Sequence, residues 1–572
     1  MIEKGKAEKI LYTIMTLGLI IGLIFFEGRV IYSVAISMQF PRELLEPSNI
    51  ALTRMFLEGK SPYTLKSLDY IIPAVNYEYP FLGSLLAAGI VLVSGCEIVT
   101  AHYIISTIAF IATGVVGFLL VKPYSKTLVA PIAGAILFMM CHWRFGFISA
   151  APDDLGLFLF VLTLFFAVSP KIKNKSLICA IMTTLCFYTK QYLVFVALGI
   201  FVYELFYSKK EAVKFLISTI AINLVVIVII SIFWPLYWTY IFFFLYNGTF
   251  SGIGFGFESL IAQMKYLSAI FVGLFAVIVV AVIRVIIKRR KEKNQDGSVV
   301  SEEHIDTSVE DDKNKEKRNG ISGLINIKEN DALSLFAIEI PVMFVPLIFF
   351  GRNDGAFLSY FLQLWMPSII VVTFIVLERM AAENDKLWFT ILYGVITAFT
   401  VLFGYLKLPF HILTDEEASK WEEAYKIIED YREDGDIYYA SEFAYLASRN
   451  GDYTIFCGHD GEVSEVSLET WNNSKLCQRL FPYADDIIQK NIDFKNNLTR
   501  KAFYAQYSLV TSVDGYGLNF SEDFFKEVLP LYEKFDSMEL QTGNMPYTVS
   551  FFKRIDDYEG WYIDDDVLGL DK

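Results

Sequence analysis

Apolar runs of membrane-spanning length recur through the first 411 residues, and they constrain the fold more than any other feature. They lie near residues 10–36, 80–94, 100–121, 127–141, 154–169, 176–189, 192–207, 213–234, 263–287, 333–350, 357–378 and 386–408. About 17–25 mostly apolar residues are needed to cross a hydrocarbon core roughly 30 Å thick. Inside that core each backbone N–H and C=O must be satisfied locally, so the runs are expected as helices. The chain is 54% hydrophobic and 20% charged, against about 25% charged in soluble domains. The expected fold is an α-helical polytopic membrane protein.

Basic residues orient it. Lys4, Lys6, Lys9 and the amino terminus precede the run 10–36, and no small-residue cleavage site closes that run. It therefore reads as an anchor with a cytoplasmic N-terminus. Basic loops follow at Lys122–Lys126, Lys171–Lys175, Lys209–Lys214 and Lys288–Lys293. If all four face the cytoplasm, parity fails when every run crosses. The run 80–94 resolves this, because 15 residues reach only about 22 Å. Read as a half-spanning or interfacial helix, it leaves about eleven crossings of the plasma membrane and an extracytoplasmic C-terminus. Glu46–Pro80, His142–Asp154, Tyr188–Gln191, Pro235–Gln263 and Arg352–Gly355 then share one outer face.

Two segments depart from this pattern. Residues 288–332 are charged, of mixed sign and poor in aromatics, a composition expected to stay disordered on the cytoplasmic side. Residues 412–572 hold 33 acidic and 15 basic side chains, a balance of −18, so the first 411 carry +4 of the total −14. Here EASKWEEAYKIIEDYRED reads as a helix, DIYYA as a strand and SEFAYLASRNG as a helix closed by Asn-Gly. YSLVTSV and YTVSFFKRI read as strands, with SEDFFKEVLPLYEKF as a helix between them. The alternation predicts a small acidic α/β domain. Neither part has the basic footprint of a nucleic-acid binder.

Six cysteines show no C-x-x-C spacing, which argues against a zinc or redox motif. Cys96, Cys141, Cys179 and Cys186 lie in or beside apolar runs as packing residues. Cys457 and Cys477 could pair if their domain is exported, or remain two free thiols.

The polar tract EPSNIALTRMFLEGKSPYTLKSLDYIIPAVNYEYP (Glu46–Pro80), within a first outer loop of 37–80, carries acids, an arginine and a closing Tyr-Pro. Glu46, Asn49 and Thr53 fall on one helical side, and Glu43 is the local competitor for any carboxylate role. A later acidic pair, Asp153-Asp154, opens the run LGLFLFVLTLFFAV. One carboxylate at a helix N-terminus satisfies capping and the macrodipole, and two exceed that need. Lys190-Gln191 sits on an outer loop against the positive-inside expectation, as a snorkelling anchor or a phosphate contact. Arg352, beside Asp354, suits bidentate phosphate binding or a helix-cap loop. Arg54 and Glu58 read as a surface pair one turn apart. Glu204 reads as a snorkelling acid, His142-Trp143 as an interfacial belt, and the aromatics at 233–246 as interface packing before a lipid groove.

The first loop resembles that of the polytopic GT-C type glycosyltransferases, in particular the bacterial mannosyltransferase-like group. In that family an acid precedes a Gly-x-x-Pro-Tyr stretch, which here is Gly59-Lys60-Ser61-Pro62-Tyr63. The loop often closes with Tyr-Pro-Pro-Leu, and here with Tyr79-Pro80-Phe81-Leu82. An acid before a later span, often following an arginine, matches Asp153 with Arg144 upstream. A Lys-Gln turn and a late Gly-rich turn before a Tyr-containing span match Lys190-Gln191 and GRNDGAFLSYFLQLWMP. The family's acid is most often Asp, whereas this chain has Glu followed by Pro. The appended C-terminal domain is also similar to that of some bacterial members.

The resemblance implies an inverting transfer of a hexosyl or pentosyl group from a polyprenyl-phosphate carrier to a glycan, lipid or protein acceptor. Such chemistry needs a base for the acceptor hydroxyl and cations or a metal for the leaving phosphate. It implies Glu46 and Asp153 as catalytic carboxylates. Asp154, Tyr79, Arg144, Lys190, Gln191 and Arg352 would contact substrate. Glu46, Asp153 and Asp154 could share a divalent cation, Mg or Mn. A secondary transporter would instead show matching halves and broken spans near the midplane, and no such halves are found. A non-catalytic scaffold with an outer sensing domain would leave the polar loops without a shared purpose.

Overall fold

The computed structural model describes residues 4–37, 40, 46–69, 79–142, 148–169, 172–244, 332–350, 363–383, 387–407, 413–432, 436–452, 471–496, 507–514, 531–542 and 545–555. Arg144, Arg352, Asp354, Glu43, Cys457 and the charged loop 288–331 lie outside these residues, as does the run 263–287.

The apolar runs form helices. They are α1 (Lys4–Ser37), α2 (Glu46–Leu57), α3 (Leu82–Ser94), α4 (Ile98–Val121), α5 (Val129–Met140), α6 (Asp153–Val168), α7 (Lys175–Thr189), α8 (Val196–Tyr207) and α9 (Lys209–Phe233). After the gap come α10 (Ala332–Phe350), α11 (Met366–Glu383) and α12 (Leu387–Lys407). By length and composition, Gly5–Val34, Ile98–Tyr124 and Lys209–Phe233 suffice to cross a membrane, and six shorter apolar helices accompany them. All of α5 is buried, packed by α1, α4, α11 and α12, so it forms the bundle's axis. α1 and α9 instead expose Ile, Leu, Val and Phe, as expected for helices that face lipid.

The short helix α3 is tied to its surroundings at both ends. Near its start the Ser84 hydroxyl donates to Asn49 O on α2 (3.2 Å), and Glu97 just beyond its end pairs with Arg449 of the C-terminal region (3.6 Å). Beyond α4 the hydroxyl of Ser125 and the backbone N–H groups of Lys126 and Thr127 hold the Glu378 carboxylate. Glu204 reaches Lys175 at 2.8 Å, a specific pair where snorkelling was expected.

The C-terminal region is a small α/β domain. Helix α13 (Asp415–Arg432) opens with a reciprocal cap, Thr414 N–H donating to Glu417 Oε2 (2.7 Å) and Glu417 N–H to Thr414 Oγ1 (3.3 Å). Strands β1 (Asp436–Tyr438), β2 (Tyr507–Asp514), β3 (Tyr532–Thr542) and β4 (Met545–Arg554) form a sheet of order β1-β2-β4-β3. β1 pairs parallel with β2, and the other pairings are antiparallel. Helix α14 (Ala444–Asn450) stops at Gly451, whose φ of 89° suits a residue without Cβ. Helices α15 (Lys475–Leu480) and α16 (Ala484–Asn496) follow. The expected helix through YEKF is corrected here. Tyr532–Phe535 belong to β3, because pairing along the whole of β4 outweighs a local helical preference.

This domain is locked onto the first loop. Phe40, which follows α1, lies in the domain's core and stacks on Trp421 (centroids 5.7 Å apart). Arg54 on α2 keeps its expected bond to Glu58 (3.1 Å) and also donates to Ser448 O and Asp452 O at the end of α14 (3.2 and 3.3 Å). On the other side Ala484, Ile487 and Ile488 of α16 pack with Tyr63, Tyr237 and Tyr240. Nearby, Lys490 Nζ donates to Ser67 O (2.7 Å). Burial lowers the Lys490 ammonium to about 8, opposed by Asp69. The aromatic tract after α9 is therefore a wedge between the first loop and α16, with Phe243 against Phe481.

Candidate active site

Glu46 is the first residue of α2, where a carboxylate is favoured by the helix dipole. It is fully buried, which rules out a solvated loop acid. Its Oε1 accepts the Ala150 N–H at 2.9 Å. The segment that offers this N–H is held by Ser106 Oγ, which donates to Ser149 O at 2.6 Å. Ile148 beside it has φ 59°, a strained value for a β-branched residue and a reason to regard the turn as specified by its surroundings. Asn49 and Thr53 lie on the buried side of α2 as expected. Thr53 Oγ1 is 2.8 Å from His102 Nε2.

The same segment leads directly into α6, whose first two residues are Asp153 and Asp154. Pro152 at the cap position offers no side-chain oxygen, and neither aspartate is spent on solvent. Asp153 Oδ1 accepts from Lys190 Nζ and from Gln363 Nε2 (2.9 Å). Gln363 in turn accepts from the Tyr192 hydroxyl (2.5 Å). Lys190 Nζ lies 4.9 Å from the Tyr79 ring centre and 5.4 Å from that of Tyr192, within cation–π range. Gly156 on α6 makes this approach sterically feasible, since a Cβ there would stand 2.6 Å from Leu193 Cδ1. Gln191 is buried beside Lys190 and opens the short turn Gln191–Phe195.

Asp154 points elsewhere, with its Oδ1 2.7 Å from His142 Nδ1. His142 is buried edge-on against Phe110, so the interfacial-belt reading is corrected. The three acids thus face an N–H, an ammonium and an imidazole. Consecutive residues diverge by about 100° around a helix, and here Asp153 and Asp154 turn to different partners. Among the described residues no group of three His, Cys, Asp or Glu is placed to hold a cation.

The structure therefore brings together Glu46, Asp153, Lys190, Gln191 and Tyr79. Glu46 is linked to Asp153 through Ala150, three residues away, a span of at most about 11 Å. Sequence reasoning missed Gln363, Tyr192 and two tyrosines beyond Glu46. Gln363 had a signal, a lone amide in an apolar run. The tyrosines had none. Tyr445 on α14 is fully buried and hydrogen-bonds the Glu46 carboxylate, and its hydroxyl is 3.2 Å from that of Tyr103 on α4. Burial, then the Glu46 charge, raises the Tyr445 phenol well above its usual range, keeping it a proton donor. Within the bundle, Glu339 of α10 is fully buried against Gly199 with neither oxygen hydrogen-bonded among the described residues.

Neither family models nor curated proteins match the sequence. Solved structures do match in shape. The crystal structure of ArnT from Cupriavidus metallidurans bound to undecaprenyl phosphate superposes with a TM-score of 0.51 at 10% identity, covering 97% of this chain and 99% of that one. The apo form of the same protein gives 0.51 at 12% identity over 93% and 98%. The chain has the GT-C fold. At this identity the likeness establishes architecture, and it extends across the membrane bundle and the appended domain together.

Proposed function

We propose that this protein is a membrane glycosyltransferase that moves a sugar from a polyprenyl-phosphate carrier to an extracytoplasmic glycan, lipid or protein acceptor, with inversion. The observation that carries this reading is the pairing of buried Lys190 with Asp153 between two tyrosine rings, beside buried Glu46, at one end of a GT-C bundle. A neighbour in fold binds undecaprenyl phosphate, the leaving group such a reaction would release.

In this reading Asp153, itself held by Gln363, pairs with Lys190 at rest, and an incoming phosphate diester competes with Asp153 for the ammonium. Lys190 then offsets the negative charge that grows on the phosphate as the C1–O bond to the sugar breaks. Glu46 takes the proton from the acceptor hydroxyl as its oxygen bonds to C1 from the opposite face. Polyprenyl phosphate leaves, and the proton on Glu46 returns to water. Of the aromatics packed at this end, the partly exposed Phe81 and Trp234 would face the first isoprene units.

The test is transfer of radiolabelled sugar by the purified protein from a panel of polyprenyl-phosphate sugars, scored as transfer or hydrolysis. Turnover of one donor that disappears in Lys190→Met supports the reading. No turnover with any donor, together with no binding of undecaprenyl phosphate, overturns it.

A further inference from the structure

The C-terminal domain supplies a side chain to the Glu46 site, although its own sequence has no cluster that suggests chemistry. Helix α14 packs on α2 and α4. It is fixed there by Arg54, which donates to Ser448 O and Asp452 O, and by the Arg449–Glu97 pair. The Arg54 guanidinium also passes close to Gly451, at 3.4 Å from the position of an added Cβ. This docking presents Tyr445 to Glu46, with the Tyr103 hydroxyl behind it at 3.2 Å. We propose that Tyr445, supported by Tyr103, is a positioning residue for the Glu46 carboxylate, so that the C-terminal domain completes the active site and is not merely a roof over it.

With only the Ala150 N–H, one oxygen of Glu46 is tethered and the group can rotate about its last torsion, which is intrinsically broad. A phenol donor from a second direction selects one orientation. The Tyr103 hydroxyl, 3.2 Å from that of Tyr445, holds the phenol from behind. Ala150 N–H from the 148–151 segment and Tyr445 from α14 thus approach Glu46 from two elements, with Tyr103 of α4 behind Tyr445. The proposal rests on Glu46 acting as the base, and the two parts can fail separately.

The experiment compares full-length wild type, Tyr445→Phe, Tyr103→Phe and Glu46→Gln in detergent. Infrared difference spectra against Glu46→Gln isolate the Glu46 carboxylate stretch without needing any substrate. In Tyr445→Phe that band is expected to shift, with unfolding temperature unchanged. Sugar transfer from the donor selected in the panel is expected to lose about 10- to 100-fold in kcat, the equivalent of one hydrogen bond to a charged group. KM for the donor should stay the same, and Tyr103→Phe should show a smaller loss of the same kind. Arg54→Met, which frees α14, should reproduce the infrared shift and thereby support the coupling. An unshifted band in Tyr445→Phe overturns the proposal, as does a loss confined to KM. A shifted band with full activity in Glu46→Gln upholds the contact and overturns Glu46 as base.

Discussion

Asp153→Asn is the substitution that best separates charge from shape. Asn keeps an acceptor for Gln363 Nε2, so the local hydrogen-bond frame can persist. Lys190, however, loses its counter-charge while only 1% of its side chain meets solvent. Breaking a buried ion pair from one side costs about 3–5 kcal/mol, chiefly by stranding the remaining charge. The Tyr79 and Tyr192 rings stay in place and continue to solvate the ammonium, which puts the expectation near the lower end, about 3 kcal/mol. Lys190→Met strands Asp153 in the same way. The double variant removes both charges and should recover most of the loss, giving a coupling energy of opposite sign to the single costs. Unfolding midpoints in detergent, followed by tryptophan fluorescence, measure this directly. All three variants should lack transfer activity. Additive losses in the double variant, or a single Asp153→Asn as stable as wild type, would refute the buried-pair argument.

Glu46→Gln should lower transfer by about 10²–10⁴-fold, the usual worth of a general base, with the unfolding midpoint held, and Asp154→Asn should be milder; steady-state rates on the labelled donor decide both. Phe40→Ala should destabilise the C-terminal domain by about 3–5 kcal/mol, read as faster protease release of that domain from intact protein. Lys490 is depressed to about 8 when folded, below its unfolded value of about 10.4. The folded state therefore binds fewer protons between those values, and stability should rise as pH increases from about 8 to 10.4. Thermal midpoints from pH 7 to 10 should show that rise in wild type and lose it in Lys490→Met.

The bundle was legible because hydrophobic runs report directly on helices, and α4 through α8 begin and end within a few residues of them. The short run at 80–94 was legible from arithmetic on its length. The helix 415–432 and the Asn-Gly stop at 450–451 follow from local rules of amphipathicity and capping. What stayed hidden depends on partners distant in sequence. Phe40 meets Trp421, and Tyr103 meets Tyr445, with no local pattern to announce either. YEKF became strand for the same reason, since only β4 specifies it. At the site, the types and positions of Glu46, Asp153 and Lys190 were readable, but their directions were not. Adjacent acids that suggested a shared cation turn to different neighbours, and His142 left the surface to follow one of them.

The seating of Phe40 beneath Trp421 has a consequence for biosynthesis. A ribosome makes the first loop early and the region that receives it much later, after the described apolar helices. Until residue 421 and the strands that follow have emerged and folded, Phe40 has no partner and α2 has no docking surface for Arg54. A chain clipped or stalled within its last third would leave an inserted bundle whose first loop is unseated. Synthesis of residues 413–551 thus sets when the site can assemble.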